Sequence, residues 1–421
     1  VNTLLLLFVA IVLVHAAVQG LLVLGFTSAL RQKPAALLAD DQTGPAVVIL
    51  CLRGSDPFLG HCLSSLLQQD YPNYQVRIVI DHTDDPAHSV VTDLLQHHVT
   101  SAPRVTVEIL DEKLTTCSLK CSSLLQVAQQ LDHDIEFIAQ IDADTIAHSQ
   151  WLRQLATALR DEQVGAATGN RWYMPGTPSV GALVRYTWNA AAVVQMYWYQ
   201  VAWGGTLAIK TSVLRETDVL ARWSRAFCED TMLYSVLRQA GKRVAFVPPL
   251  MMINREDCQL GGFFQWVKRQ LLTARLYHPA WLGVLSHGIL STLIPLAGLF
   301  FVGYGLLSSS FSLVWQAGVT LASYQASLAL LLLPMEQAVR QIGSARGEPI
   351  RWLSLPGMLK CLMIMPLTQL VYAAALSSAT GMRRTNWRGI DYQIDGPQEI
   401  TMQGYQPYSP PADKTEPALS L

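Results

Sequence analysis

Charge is scarce in this chain and unevenly spread. Only 14% of its 421 residues are Asp, Glu, Lys or Arg, against roughly a quarter in soluble domains. None occurs before Arg31, and none in the sixty residues between Arg275 and Glu336. Such gaps exclude an ordinary soluble enzyme, whose surface helices carry a charged face. Core helices of a large soluble protein are the competing explanation, and a run of that length without charge argues against it. A basic excess is also missing. With a net charge of −1, the chain lacks the electrostatic footprint of a nucleic-acid partner. Cysteine is sparse and irregular: seven residues, an odd number without disulfide-framework spacing, as suits a reducing compartment.

The uncharged stretches are apolar. The first, residues 4–26, exceeds the length needed to cross a bilayer as a helix. It is longer than a secretory signal core and has no leading positive charge, so a retained anchor is expected. Arg31 and Lys33 follow it directly and place the next domain in the cytoplasm. Trp281–Leu307 and residues 311–333 read as two further spans joined by Ser308, Ser309 and Ser310. Arg340, Arg346 and Arg351 then mark a cytoplasmic return. A last apolar run, 361–380, contains Pro366. If it crosses, Arg383, Arg384 and Arg388 fall on the far side, against the positive-inside rule; if it re-enters, they return.

The expected organisation is therefore an integral, multi-pass membrane protein with four parts. An anchor occupies residues 1–30 and a cytoplasmic domain 45–278. A transmembrane region of about three apolar segments covers 281–380, and a tail 381–421. Within the tail, residues 396–421, rich in Pro, Gln and Ser, are expected to lack fixed structure.

In the middle domain the pattern changes. Ala46–Leu52, 76–80, 105–110 and Phe137–Ile141 are short, β-rich apolar runs. Residues 58–69 and 118–131 have helical spacing between them. Strands alternating with helices predict a mostly parallel sheet covered on both faces. Ligands then bind at the carboxyl ends of its strands, and acidic residues fall there. Asp81 follows the second strand. Asp142 and Asp144, in Ile141-Asp-Ala-Asp144, follow the fourth and can share one hard divalent ion. Glu229 and Asp230 precede an amphipathic run, 231–240, that stops at Gly241.

Taken in order, these features resemble the family-2 glycosyltransferases of GT-A fold, in their ceramide-glucosyltransferase-like membrane branch. The matching segments begin with Leu63-Ser-Ser-Leu-Leu-Gln-Gln-Asp-Tyr-Pro72, Ile78-Val-Ile-Asp81 and Asp84-Asp-Pro86. Ile141-Asp-Ala-Asp144, Trp203-Gly-Gly-Thr-Leu-Ala-Ile209 and Cys228-Glu-Asp230 follow. The last is Asn386-Trp-Arg-Gly-Ile-Asp-Tyr392. The resemblance implies a Rossmann-like α/β GT-A domain between membrane helices. It implies that Asp81 contacts the nucleoside, expected to be uridine, and that Asp142 and Asp144 hold Mg2+ or Mn2+. Asp230 becomes the general base. Lys120 lies on the donor side, and Gly204, Gly205 and Glu229 on the acceptor side.

One motif departs from the family. Where Q/R-x-x-R-W is expected, this chain reads Gly262-Phe-Phe-Gln-Trp266. Trp266 fits, Gln265 replaces the arginine, and Arg269 stands one helical turn on. These three are the donor-binding candidates there.

The implied reaction moves a hexose from a nucleotide diphosphate sugar, UDP-glucose or similar, to a lipid acceptor at the cytoplasmic membrane face, with inversion. A processive polysaccharide synthase is the alternative, disfavoured by the few C-terminal spans. A transporter with a cytoplasmic nucleotide-binding domain is disfavoured because the spans carry almost no ionisable residues.

Overall fold

The computed structural model describes residues 2–97, 103–174, 176–348, 350 and 354–409. Helix α1 (Asn2–Leu30) precedes an α/β domain. That domain runs β1 (Ala46–Leu52), α2 (Leu59–Leu66), β2 (Tyr74–Ile80), α3 (Pro86–His97), β3 (Arg104–Ile109), α4 (Leu119–Ala128) and β4 (Phe137–Ile141). It continues with α5 (Trp151–Leu159), β5 (Val164–Tyr173), α6 (Val180–Tyr199), β6 (Thr206–Lys210), α7 (Thr211–Glu216) and α8 (Val219–Trp223). Then come α9 (Leu233–Gln239), β7 (Arg243–Asn254) and α10 (Leu260–Tyr277).

The seven strands form one sheet in the order β3-β2-β1-β4-β6-β5-β7. Only β6 runs against its neighbours. Strand β1 shows why both faces are covered. Val47 and Ile49 enter one buried cluster with α4 and α9, while Ala46, Val48 and Leu50 enter another with α2 and α5. A strand with no polar alternation must be buried on both sides. This is the mostly parallel, helix-flanked sheet that the GT-A resemblance implies.

Helices α11 (Trp281–Leu307), α12 (Phe311–Ala345) and α13 (Leu355–Gly381) follow. With α1 they make four helices long and apolar enough to cross a membrane. Two expectations need correction. The helix that carries the third apolar run does not stop near 333, because α12 runs on to Ala345. Its last turns pack on the α/β domain: Val339 joins Trp172 and Tyr186 in one cluster, and Glu336 accepts a hydrogen bond from Tyr186 at 2.8 Å. Arg346, read from sequence as part of a cytoplasmic return, donates to the carbonyls of Pro249 and Met251. Arg351 lies outside the described residues.

The tail is the second correction. Strands β8 (Arg384–Trp387), β9 (Ile390–Gly396) and β10 (Glu399–Met402) form a small antiparallel sheet. Tyr392, Ile394, Ile400 and Met402 alternate along it and are buried in the same cluster as Val47. Apolar residues at period two gave this segment a packing face that its composition concealed. The C-terminal end of α13 is tied to α10, where Arg275 holds the carbonyls of Thr380 and Met382. The segment after α13 packs on the α/β domain, where Ile390, Tyr392 and Ile394 join the cluster of Val47. Residues 410–421 lie outside the described chain.

Candidate active site

The crevice lies where the chain, having added β2 and β3 on one side of β1, returns to place β4 on the other. Such a switch point opens the carboxyl ends of the strands. Arg53 follows β1, Asp81 follows β2, and Asp142 and Asp144 follow β4. Antiparallel β6 sets Thr206 against Ile141, so Gly204 and Gly205 enter at that same end.

Asp81 is buried and ion-paired with Arg53. It also accepts the Tyr405 hydroxyl at 3.2 Å, while among the described residues its Oδ1 has no hydrogen-bond partner. Burial pushes the Asp81 carboxyl up, against the pull of the Arg53 charge.

The central carboxylates are bridged by two cations. Lys120 Nζ lies 2.8 Å from both Asp142 Oδ1 and Glu229 Oε1. Arg171 lies 3.2 Å from Asp142 Oδ2 and from Asp144 Oδ2. Asn254 completes the surroundings of Asp144 at 3.4 Å, and Gln140 donates to Glu229 at 2.9 Å. The pairings sort the carboxyls. At Asp142 burial favours the neutral acid, but Lys120 and Arg171 outweigh it and hold the group below its ordinary value. At Asp144 and Glu229 burial prevails and raises both.

Asp230 stands apart from these bridges. Its Oδ2 accepts the Gly204 N–H at 2.8 Å, and its Oδ1 accepts the backbone N–H and hydroxyl of Thr231. Among the described residues it has no ion-pair partner, and a carboxylate so fixed can accept a proton from a hydroxyl placed within hydrogen-bond reach.

Two cavities meet at this residue. One, of about 180 Å³, is the more polar of the two; its wall carries Arg53, Lys120, Arg171, Arg269 and Arg388 against Asp81, Asp142, Glu229 and Asp230. The other, of about 240 Å³, is largely apolar and opens among α1, α6 and α10 to α13. Arg171, Trp203, Asp230 and Trp266 belong to both walls.

A family model for glycosyl transferase family 21 matches residues 5–400. The chain belongs to that family. This family 21 enzyme is a glycosyltransferase, as the ordered motifs implied. No curated relative matches it. Among solved structures it is similar to the mannosyltransferase PcManGT from Pyrobaculum calidifontis, solved with GDP-Man and Mn2+. That match has 18% identity and a TM-score of 0.49, covering 89% of this chain and 99% of that one. It is also similar to glucosyl-3-phosphoglycerate synthase from Mycobacterium tuberculosis, at 14% identity and TM-score 0.38, over 57% of this chain and 84% of that one.

Within this glycosyltransferase most of the residues singled out by sequence line the polar cavity. Asp81, Lys120, Asp142, Gly204, Glu229, Asp230, Trp266 and Arg269 do so. Asp144 is reached through Arg171, and Gly205 packs beneath Trp203. Gln265 is exposed and belongs to neither wall. One turn further along α10, Arg269 has no carboxylate within ion-pair distance among the described residues. Its pKa is pushed down to about 10, first by burial and then by the like charge of Arg388.

Sequence reasoning assigned no role at the site to Arg53, Arg171, Tyr405 or Arg388, the last of which stands in the matching segment Asn386–Tyr392. Arg53 directly follows a strand, so the rule that found Asp81 also applies to it. Arg171 lies inside β5 and leaves no local signal.

Proposed function

We propose that this glycosyltransferase moves a hexose from a nucleotide diphosphate sugar to the hydroxyl of a membrane lipid, with inversion. The single observation that carries this reading is the position of Asp230, in the wall of both the polar and the apolar cavity. The polar side supplies an excess of cationic side chains suited to a diphosphate. Arg269, buried without an ion-pair partner among the described residues and beside the like charge of Arg388, has the clearest need of an anion. The apolar side is walled by helices fit for a bilayer, so a lipid can present its hydroxyl without leaving the membrane.

Asp230 takes the proton from the acceptor hydroxyl. The oxygen then bonds to the anomeric carbon as the carbon–oxygen bond to the diphosphate breaks. With a single displacement and no enzyme nucleophile, the configuration inverts. Trp203 and Trp266, shared by both walls, position the sugar and exclude water. Asp81 faces the nucleoside, with its free Oδ1 available to a base N–H.

Among the described residues no group of three or more His, Cys, Asp or Glu is arranged to hold a metal. Asp142 and Asp144 nevertheless direct oxygens at one cationic centre, the Arg171 guanidinium. Mg2+ is commonly bound through one or two carboxylates, with water and phosphate oxygens completing its shell. The pair therefore fits a divalent ion, Mg2+ or Mn2+, that arrives with the donor. Such an ion supplies compensation for charge on the leaving diphosphate.

By the positive-inside rule, Arg31 and Lys33 support a cytoplasmic site. The test is product identification after incubating membranes with labelled UDP-glucose, UDP-galactose and GDP-mannose. A glycolipid of inverted configuration, absent with Asp230→Asn, supports the proposal. Long polymer, or retained configuration, overturns it.

A further inference from the structure

The apolar cavity ends, away from Asp230, in polar groups without an evident structural use. His15 of α1 is 93% buried, since only 7% of it is exposed. Its Nδ1 lies 3.2 Å from the Tyr324 hydroxyl of α12, and among the described residues its Nε2 has no partner. His287 of α11 stands across from it, with ring centroids 6.1 Å apart. Its Nδ1 is likewise buried and unpartnered. All three side chains line the same cavity as Asp230.

Leaving a buried polar atom unpaired is destabilising, and the cavity these atoms face is largely apolar. Two histidines so placed on helices otherwise free of charge ask for a ligand. With the phenol donating to Nδ1, the His15 proton sits on Nε2 and is offered to an oxygen. Polar groups inside membrane helices mark substrate paths. Here the path is already present, because one continuous cavity joins them to Asp230.

We infer that this inner end is a second recognition point for the acceptor. It takes a hydroxyl or carbonyl oxygen carried on the membrane-embedded part of the lipid, distinct from the hydroxyl that Asp230 serves. The inference rests on the proposed lipid acceptor and deepens it. It makes the substrate class an amphiphile with at least two hydrogen-bonding groups, and it excludes a simple long-chain alcohol as a good acceptor. His15 and His287 are then specificity-determining residues for the acceptor, remote from the chemistry.

The experiment uses the full chain in lipid nanodiscs with three acceptors: a ceramide, a diacylglycerol and a long-chain alcohol. In wild type, the acceptor carrying the additional hydrogen-bonding group should be preferred over the alcohol. His15→Phe and His287→Phe should raise the KM of the preferred acceptor about five- to tenfold, the scale of one lost hydrogen bond. They should leave the donor KM and the KM for the alcohol unchanged. His15→Gln, which keeps a donor, should recover part of the preference.

Equal losses on all acceptors, accompanied by a lower melting temperature, would mean a purely structural pair and overturn the inference. So would an unchanged acceptor preference in both Phe variants. If no lipid is glycosylated at all, the proposed function itself has failed. The cavity is then read by quenching of Trp203 and Trp266 with brominated forms of the same lipids. Quenching by ceramide that weakens in His15→Phe still supports the recognition point, and quenching blind to His15 removes it.

Discussion

The backbone N–H of Gly204 donates to Asp230 Oδ2 across 2.8 Å, tying the turn before β6 to the carboxylate that faces both cavities. Glycine is required there for space. A Cβ at Gly204 would lie 2.2 Å from Glu229 Oε1 and 3.0 Å from Lys120 Nζ. Gly204→Ala should therefore displace the Glu229–Lys120 pair and the Asp230 carboxylate together. We expect kcat to fall about 100-fold, the scale of a misplaced catalytic group, with circular dichroism unchanged. Activity near wild type would show that the turn does not position the base.

Lys120 is the hinge of the electrostatics. Its removal in Lys120→Met leaves Glu229 buried with its charge uncompensated, a change worth about 3 kcal/mol. A lower melting temperature is expected, and Lys120→Met combined with Glu229→Gln should recover much of it, because the stranded charge is gone. Thermal unfolding of the single and double variants checks this.

Arg269 and Gln265 separate two readings of the α10 motif. Arg269→Ala should raise the donor KM about 10- to 100-fold, as loss of a charge-assisted hydrogen bond does. Gln265→Ala, at an exposed position, should change it less than twofold by the same scale. Steady-state kinetics against donor concentration distinguishes them, and the reverse order would return the role to Gln265.

The segment after β10 folds back onto Asp81. Tyr405 bonds its carboxylate, Arg53 holds the Gln406 carbonyl at 2.9 Å, and the Tyr408 ring sits against Gly54. Tyr405→Phe removes one hydroxyl and frees Asp81 to move. The donor KM should rise about fivefold while the acceptor KM stays fixed. Isothermal titration with UDP gives the same comparison without turnover.

His278 predicts a pH response in stability. Its Nδ1 accepts the Ala280 N–H at 3.1 Å at the entry to α11, and burial pushes its pKa down to about 4. The folded state thus resists a proton that the unfolded chain takes up near 6.5. The stabilisation is present above that value and is lost as pH falls from about 6.5 toward 4. The melting temperature of His278→Gln should depend less on pH across this window. Parallel pH profiles for the two proteins would contradict it.

Much of the α/β domain was legible because strand and helix periods differ. Ala46–Leu52 and Phe137–Ile141 had no polar alternation, which only a strand covered on both faces tolerates, and Asp81 and Asp142 were found by standing just past such strands. The arginines were harder. Arg171 is one residue within a ten-residue strand, and only the pairing of β5 with β6 brings it beside β4. Ile400 and Met402 were hidden in a stretch whose Pro and Gln content suggested no fixed structure, since composition averages away a period of two.

Local order alone determined the apolar helices, the strand–helix alternation and the acidic residues at strand ends, because each depends on neighbours within a few residues. Whether α13 returned its chain to the domain, which cations met which carboxylates, and that Asp230 faced two cavities at once were decided by tertiary packing. Those relationships join positions separated by tens to hundreds of residues, and no periodicity in the chain encodes a distance between side chains that meet only when the sheet and the helix bundle close around them.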